Sequence, residues 1–115
     1  MNNAELHHRA KNRVTLKRPV ELLINDDEIV HGTLLNLSIL GAGVLLDRAL
    51  QAQQRISIKF SLPAYDDDIE LVIDAETTHV TPSGTGFLTG IAFSLLSPHQ
   101  SLVIGHYANN AESVE

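Results

Sequence analysis

The chain has 115 residues, no cysteine and a formal net charge of −6, from 8 lysine and arginine residues against 14 aspartate and glutamate residues. This length predicts one domain that can bury its own core, and the absence of cysteine excludes disulfides and thiolate metal sites. The acidic balance argues against a general DNA- or RNA-binding protein, because a surface that follows a phosphate backbone needs a broad basic stripe.

The first 13 residues lack apolar periodicity and are predicted to form a flexible arm ahead of the folded part of the chain. They contain no apolar segment of a secretion signal, and no apolar run in the chain approaches the roughly 18 residues that span a bilayer. We therefore expect a cytoplasmic protein with no membrane insertion.

The arm is also where the positive charge is concentrated. Five of the eight basic residues fall within positions 9–18, inside the stretch HHRAKNRVTLKR. Arg9 and Arg13 stand four residues apart, so their guanidinium groups face the same way in a helical turn and also in an extended segment. Each guanidinium offers a planar fork of donors that suits a phosphate or the edge of a guanine base. From charge alone the cluster is either a solvated tail or a site for a small anion.

Alternating apolar and polar residues then predict six strands separated by short turns. The predicted strands cover residues 14–24, 29–38, 44–46, 55–62, 69–80 and 87–93, with turns at 25–28, 63–68 and 81–86. Antiparallel strands at this spacing favour a small closed barrel or a sandwich.

A change of period near the C-terminus predicts one helix. The segment SPHQ at 97–100 has the pattern of a capping box with proline at the first helical position. Leu102, Val103, His106 and Tyr107 follow at helical spacing, which predicts about three turns. The barrel and helix together are expected over residues 14–110, and the polar residues 111–115 are expected to be a disordered tail. The fold class is thus all-β with a C-terminal helix.

The second predicted strand ends in a polar pair followed by a glycine, in the stretch NLSILGAGV. Asn36 and Ser38 are two residues apart and are predicted on the outer face, with the leucines at 35 and 37 facing the barrel interior. Gly41 has no Cβ, so a ligand can approach the backbone closely. The alternative is that both polar residues only initiate a turn before a glycine-rich loop.

Other chemistry is not indicated. The six histidines are scattered, and no set of three or four has the spacing of a metal site. The segment SGTGFLTG at 83–90 lacks the lysine and the following helix of a phosphate-binding loop, so it predicts a hairpin turn. No nucleophile elbow and no convincing Ser-His-Asp set is present. We expect no enzymatic activity, no metal and no cofactor.

Together, the two polar stretches resemble the signature of the PilZ family. That signature is R-x-x-x-R followed, after a hairpin, by [D/N]-x-S-x-x-G; here it stands as Arg9-Ala-Lys-Asn-Arg13 and Asn36-Leu-Ser38-Ile-Leu-Gly41. The strand pattern, the late GIAF at 90–93 and the closing helix are also similar to this family, from about His7 to Ala108. The resemblance implies a six-stranded antiparallel β-barrel with a helix, and a receptor for the bacterial second messenger cyclic di-GMP.

The resemblance also implies a role for each matched residue. Arg9 and Arg13 would bind phosphate and guanine, and Asn36 and Ser38 would hydrogen-bond guanine and phosphate. Gly41 would keep the outer surface beside Asn36 and Ser38 open to the ligand, and Gly43 is a further candidate on that surface. In the family, the residue before the first arginine helps decide whether one ligand or a stacked pair binds; His8 holds that position.

The expected function is a cyclic di-GMP receptor and adaptor that changes conformation and signals to an unidentified downstream protein in motility, pili or exopolysaccharide control. The alternative is an interaction module of type IV pilus or secretion machinery that does not bind nucleotide. A single-strand nucleic-acid binder is a third possibility, but two Tyr, three Phe and no Trp leave little for a stacking platform. A monomer or weak homodimer that binds no DNA or RNA is expected.

Overall fold

The computed structural model describes residues 13–25 and 27–113, with side chains as far as Asn110. Arg13 is therefore the only residue of the predicted arm that falls inside the described part of the chain. Arg9 and His8 lie outside the described residues, and so does the end of the predicted tail.

Six antiparallel strands form a closed barrel, which confirms the predicted fold class. The strands are β1 (Val14–Ile24), β2 (Glu28–Leu37), β3 (Gly41–Leu46), β4 (Arg55–Ala64), β5 (Asp67–Ser83) and β6 (Gly86–Phe93). Their order around the barrel is β1-β2-β3-β6-β5-β4, and a short pairing of β1 with β4, centred on Leu22 opposite Ile58, closes the ring. Closure removes the exposed sheet edges that an open sheet of this length would present.

The barrel interior is filled by every second residue of the strands. In β4, Ile56, Ile58, Phe60 and Leu62 are all buried, as the clean alternation of this segment predicts. Leu22, Leu34 and Val44 contribute fully buried side chains from the first three strands. Complete burial of such a side chain stabilises the folded state by roughly 1.5–3 kcal/mol, so this apolar layer is the main source of stability.

The hairpins between β4 and β5 and between β5 and β6 are tighter than the sequence predicted. The turns expected over 63–68 and 81–86 each shrink to two residues, and the strands run on to either side of them. In the first turn Tyr65 and Asp66 both have positive φ, at 54° and 64°. Positive φ at both central residues is the requirement of the type I′ turn, whose twist matches that of the flanking strands.

The C-terminal helix α1 (Pro98–Ser113) begins with the predicted capping box. The Gln100 amide donates to Ser97 Oγ at 3.1 Å, and the Ser97 amide donates to Gln100 Oε1 at 3.0 Å. At 16 residues the helix is longer than the three turns predicted, and its backbone includes part of the predicted tail. No helix in the described chain is both long and apolar enough to cross a membrane.

The helix packs against β4 and β1. Not all of the apolar residues whose spacing predicted the helix lie on its buried face. Val103 is fully buried, whereas Leu102 is 64% exposed. Ile104 and Ala108 complete the buried face instead. Three consecutive apolar residues span more than one face of a helix, so their spacing alone could not assign the inner side.

Candidate functional site

Irregular strand pairing marks one region of the outer barrel surface. The register between β2 and β3 shifts between Leu34 and Asn36, which leaves Leu35 as an extra residue. The register between β5 and β6 shifts between Thr77 and Val80, so that two residues of β5 oppose the single residue Gly90. Such bulges redirect side chains and are frequent beside functional sites. Here they lie on the two strands that flank the central β3–β6 pair.

A groove of about 520 Å³ occupies this region. It is lined by Arg13 and by residues of β3, β5 and β6, together with Asn36 and Leu40. The volume is within the range of pockets that hold small organic ligands. The groove lies on the outside of the barrel, since the interior is filled by side chains.

Two paired glycines let polar side chains lie close to the sheet within the groove. Gly43 of β3 pairs with Gly90 of β6. A Cβ on Gly43 would lie 2.5 Å from Asn36 Nδ2, and a Cβ on Gly90 would lie 2.4 Å from Thr78 Oγ1 and 2.6 Å from His79 Cε1. Any larger residue at either position would displace these polar groups from the sheet surface.

Glycine is required at position 41 for a different structural reason. A Cβ there would lie 2.0 Å from the carbonyl oxygen of Ile91 on the neighbouring strand. That oxygen belongs to the backbone and cannot move aside without breaking the β3–β6 pairing. The glycine is therefore required by strand packing, in addition to lining the groove.

The two sequence motifs meet at this groove. Arg13 Nη1 donates a hydrogen bond to Asn36 Oδ1, although the two residues are 23 positions apart. The hairpin of β1 and β2 brings them together, because Thr15 pairs with Asn36 across the two strands. Both residues line the groove.

Ser38 does not follow the prediction that it faces outward. Its side chain is fully buried, and its Oγ accepts a hydrogen bond from the Leu40 amide at 3.1 Å. The Ser38 amide in turn donates to the Gly41 carbonyl at 2.9 Å. The hydroxyl thus stabilises the turn between β2 and β3 and is not exposed on the outer surface of the barrel.

The bulge explains why simple alternation fails at the end of β2. Leu34 and Leu37 are the buried residues there, three positions apart, while Leu35 is only half-buried. The prediction that Leu35 and Leu37 share the inner face is therefore wrong. The extra residue keeps Asn36 on the outer face and moves the following leucine inward.

The charge of the groove contrasts with that of the whole chain. Within the described residues, no aspartate or glutamate lines it, and Arg13 contributes a positive charge. Arg18, by comparison, turns to the other side of β1, where its Nε donates to the Ser61 carbonyl at 2.8 Å. A groove that excludes carboxylates in a chain of net charge −6 favours an anionic ligand.

The far wall of the groove was not identified from the sequence. It consists of Thr78 and His79 of β5, with Leu88 and Gly90 of β6. A glycine in the interior of a predicted strand indicates close approach of another group, and Gly90 is such a signal. Nothing in the local sequence of β5 pairs Thr78 and His79 with it, because the bulge is a property of the pairing.

No group of three or more His, Cys, Asp or Glu side chains able to hold a metal ion occurs in the part of the chain that the structure describes. The polar side chains that line the groove carry a guanidinium, an amide, two hydroxyls and an imidazole. Groups of these kinds bind ligands through hydrogen bonds and charge.

Comparison with protein families finds one match that covers most of the chain. The model described as the PilZ domain matches residues 7–110. No curated protein matches the sequence significantly.

Solved structures share the fold at low sequence identity. The Bacillus subtilis inhibitor of motility MotI/DgrA matches with a TM-score of 0.82 and 13% identity, over 90% of this chain and 50% of the other. The chain thus spans half the length of that protein. The PilZ domain of YcgR from Escherichia coli, solved with c-di-GMP, gives 0.71 and 18%, over 89% of each chain. The PilZ domain of CeSA from a cellulose-synthesizing bacterium gives 0.60 and 23%, over 87% of this chain and 97% of the other.

Proposed function

The chain belongs to the PilZ family, and from this membership we propose that it is a receptor for cyclic di-GMP. The observation that carries the proposal is the contact of Arg13 with Asn36 at a groove that no described aspartate or glutamate lines. One residue from each family motif is present at the same place on the barrel surface, beside a pair of glycines. The c-di-GMP bound to the PilZ domain of YcgR from E. coli further supports the choice of ligand.

The ligand carries two phosphates and two guanines, and the groove offers a complementary group for each kind. In the proposal, the Arg13 guanidinium binds a phosphate or a guanine edge, and the Asn36 amide hydrogen-bonds guanine. Arg13 and Asn36 now hydrogen-bond to each other, so a bound ligand can replace that bond with its own contacts to both side chains. Gly41 and Gly43 keep the sheet surface accessible beside them.

Ser38 is assigned an indirect role in the same proposal. Since its Oγ is occupied by the Leu40 amide, it holds the turn that places Leu40 and Gly41 at the groove. Arg9, and His8 beside it, are assigned to the ligand from the family motif alone. In this scheme the arm of residues 1–13 brings Arg9 to the groove when the ligand binds, which converts binding into a change of conformation.

We propose no catalytic step for this site. The receptor would act in the cytoplasm as an adaptor, and its ligand-bound form would present a changed surface to a downstream protein. The arm is the element that changes, and the barrel is the fixed platform. Motility, pili and exopolysaccharide synthesis are the candidate outputs.

Titration calorimetry with cyclic di-GMP tests the proposal. Arg13→Ala removes a charged hydrogen-bond partner and is expected to weaken binding by about 1.5–3 kcal/mol, or roughly 10- to 150-fold in Kd. Arg48→Ala is the matched control, since Arg48 is also exposed but pairs with Glu28 and does not line the groove. It should bind as the wild type does.

Two results would contradict the proposal. If the wild-type chain releases no heat with tens of micromolar ligand, the receptor function is wrong, and an interaction module that does not bind nucleotide becomes the better account. If Arg13→Ala and Arg48→Ala bind equally well, the ligand does not use this groove.

A further inference from the structure

The groove has two sides, and the sequence motifs account for only one. Arg13 and Asn36 form the side contributed by the β1–β2 hairpin. The opposite side is formed by Thr78 and His79 of β5, which belong to neither motif. Both side chains are exposed, so a ligand in the groove can reach them.

The bulge in β5 is the reason that these two neighbours share one side. In a regular strand, successive side chains point to opposite faces of the sheet. Thr77 pairs with Ile91 and Val80 with Thr89, so Thr78 and His79 both stand opposite Gly90. Thr77 is fully buried and the next two residues are exposed, which confirms that the alternation is interrupted here.

His79 and Asn36 flank the same glycine pair. Asn36 Nδ2 would lie 2.5 Å from a Cβ on Gly43, and His79 Cε1 would lie 2.6 Å from a Cβ on Gly90. Directly paired residues of neighbouring strands have Cβ positions about 4.5–5.5 Å apart. The Asn36 amide and the His79 imidazole are therefore within about 11 Å of each other, a distance that one nucleotide can bridge.

The His79 ring is held in place by its neighbour. Thr78 Oγ1 and His79 Nδ1 are 3.1 Å apart and form a hydrogen bond. The second ring nitrogen, Nε2, has no hydrogen bond to any described residue, and the ring lines the groove. The bond to Thr78 sets the role of Nε2 in the neutral ring. If Nδ1 accepts from the Thr78 hydroxyl, Nε2 carries the proton and is a donor; if Nδ1 donates to Thr78, Nε2 is an acceptor.

We propose that His79 is a second ligand-contacting residue of this site, opposite Asn36 across the Gly43–Gly90 pair, and that Thr78 positions its ring. This inference rests on the proposed function, since the ligand it contacts is cyclic di-GMP. The ring contacts the part of the cyclic dinucleotide that extends from the Asn36 side toward β5. Guanine edges and phosphate oxygens both offer partners for Nε2.

Calorimetric titration of cyclic di-GMP into single variants tests the inference. His79→Ala is expected to raise Kd about 3- to 10-fold, the effect of losing one hydrogen bond between protein and ligand. His79→Gln retains a side-chain nitrogen and should recover part of this loss. Thr78→Val should raise Kd about 2- to 5-fold, whereas Thr78→Ser keeps the hydroxyl and should bind as the wild type does.

His99→Ala is the matched control, because His99 is exposed on α1 and does not line the groove. A spectroscopic readout accompanies the titrations. The ring resonances of His79, assigned by their disappearance in His79→Gln, should shift when the ligand is added to the wild-type chain. Those of His99 should stay in place.

The outcomes separate the inference from the proposed function. If the wild type does not bind, both are overturned. If the wild type binds and Arg13→Ala weakens binding, while His79→Ala binds normally and the His79 ring resonances stay in place, the inference alone is overturned. Weaker binding by His79→Ala together with shifted ring resonances supports it.

Discussion

Replacing Gly43 by alanine should weaken ligand binding, whereas replacing Gly41 should lower stability, although the two glycines are only two residues apart in the same strand. At Gly43 the added Cβ would lie 2.5 Å from Asn36 Nδ2 and 2.9 Å from Asn36 Oδ1. These atoms are the end of a side chain that can rotate away. At Gly41 the Cβ would lie 2.0 Å from the Ile91 carbonyl oxygen and 3.3 Å from Ala92 Cα, which are backbone atoms of β6.

The magnitudes follow from what has to move. In Gly43→Ala the Asn36 amide leaves its position, at a cost of about 0.5–1.5 kcal/mol for a displaced rotamer. About 0.5–1 kcal/mol is regained because alanine is less flexible than glycine in a strand, so stability should change little. In Gly41→Ala the strands must separate, and overpacking of this kind costs about 1–3 kcal/mol or more. For a domain of this size that loss lowers Tm by roughly 4–12 °C.

The assay is thermal unfolding followed by circular dichroism, with titration of cyclic di-GMP into each folded variant. Gly43→Ala should melt near the wild type but bind about 3- to 10-fold more weakly, because the Asn36 amide no longer faces the ligand. Gly41→Ala should melt well below it. The reasoning would be refuted if Gly41→Ala were as stable as the wild type, or if Gly43→Ala bound the ligand normally.

Three further predictions concern hydrogen bonds that the structure defines. Ser38→Ala removes the part-buried hydrogen bond from the Leu40 amide and should lower the free energy of unfolding by about 0.5–1.5 kcal/mol, measured by urea denaturation; an unchanged midpoint would contradict the role given to the Ser38 hydroxyl. Ser97→Ala removes the helix cap and should cost about 1 kcal/mol in the same measurement, with Kd for cyclic di-GMP unchanged; a weaker Kd would show that α1 affects the groove. Arg18→Ala breaks the hydrogen bond to the Ser61 carbonyl on the other side of β1, so Kd should change less than 2-fold; a loss as large as that of Arg13→Ala would mean that total charge, and not the position of Arg13, governs binding.

Much of the barrel could be predicted from the sequence, because burial imposes a period of two on each strand. The clearest case is β4, where Ile56, Ile58, Phe60 and Leu62 alternate with polar residues and are all buried. The helix start was equally predictable, since the capping box depends on residues only three positions apart. Both features are local, and local sequence is sufficient to specify them.

The predictions that failed concern side chains whose direction depends on how neighbouring strands pair, and not on the local sequence of one strand. Ser38 was expected to face outward with Asn36, but the bulge at Leu35 changes the alternation just before it. The bulge exists because β2 pairs with β3 in a shifted register, which the apolar pattern of β2 does not reveal. The same reasoning applies to Thr78 and His79, which share one side of the groove only because β5 is bulged opposite Gly90.

The site was therefore predicted in part. The motif residues Arg13 and Asn36 were named from their types and spacing, and the structure brings them into contact. Gly41 was named for ligand access, yet its tightest constraint is the Ile91 carbonyl oxygen of the neighbouring strand. A motif identifies which residues belong together, whereas the physical reason for each one depends on neighbours that only the folded barrel supplies.

The most direct test of the central claim is a pair of amide correlation NMR spectra of the full chain, with and without cyclic di-GMP. The proposal predicts large shifts for residues 8–13 and 36–43, and the inference about His79 adds residues 78, 79 and 90. Residues 55–62 of β4 should change little, because they do not line the groove. Unchanged spectra at saturating ligand, or shifts confined to β4, would contradict the account.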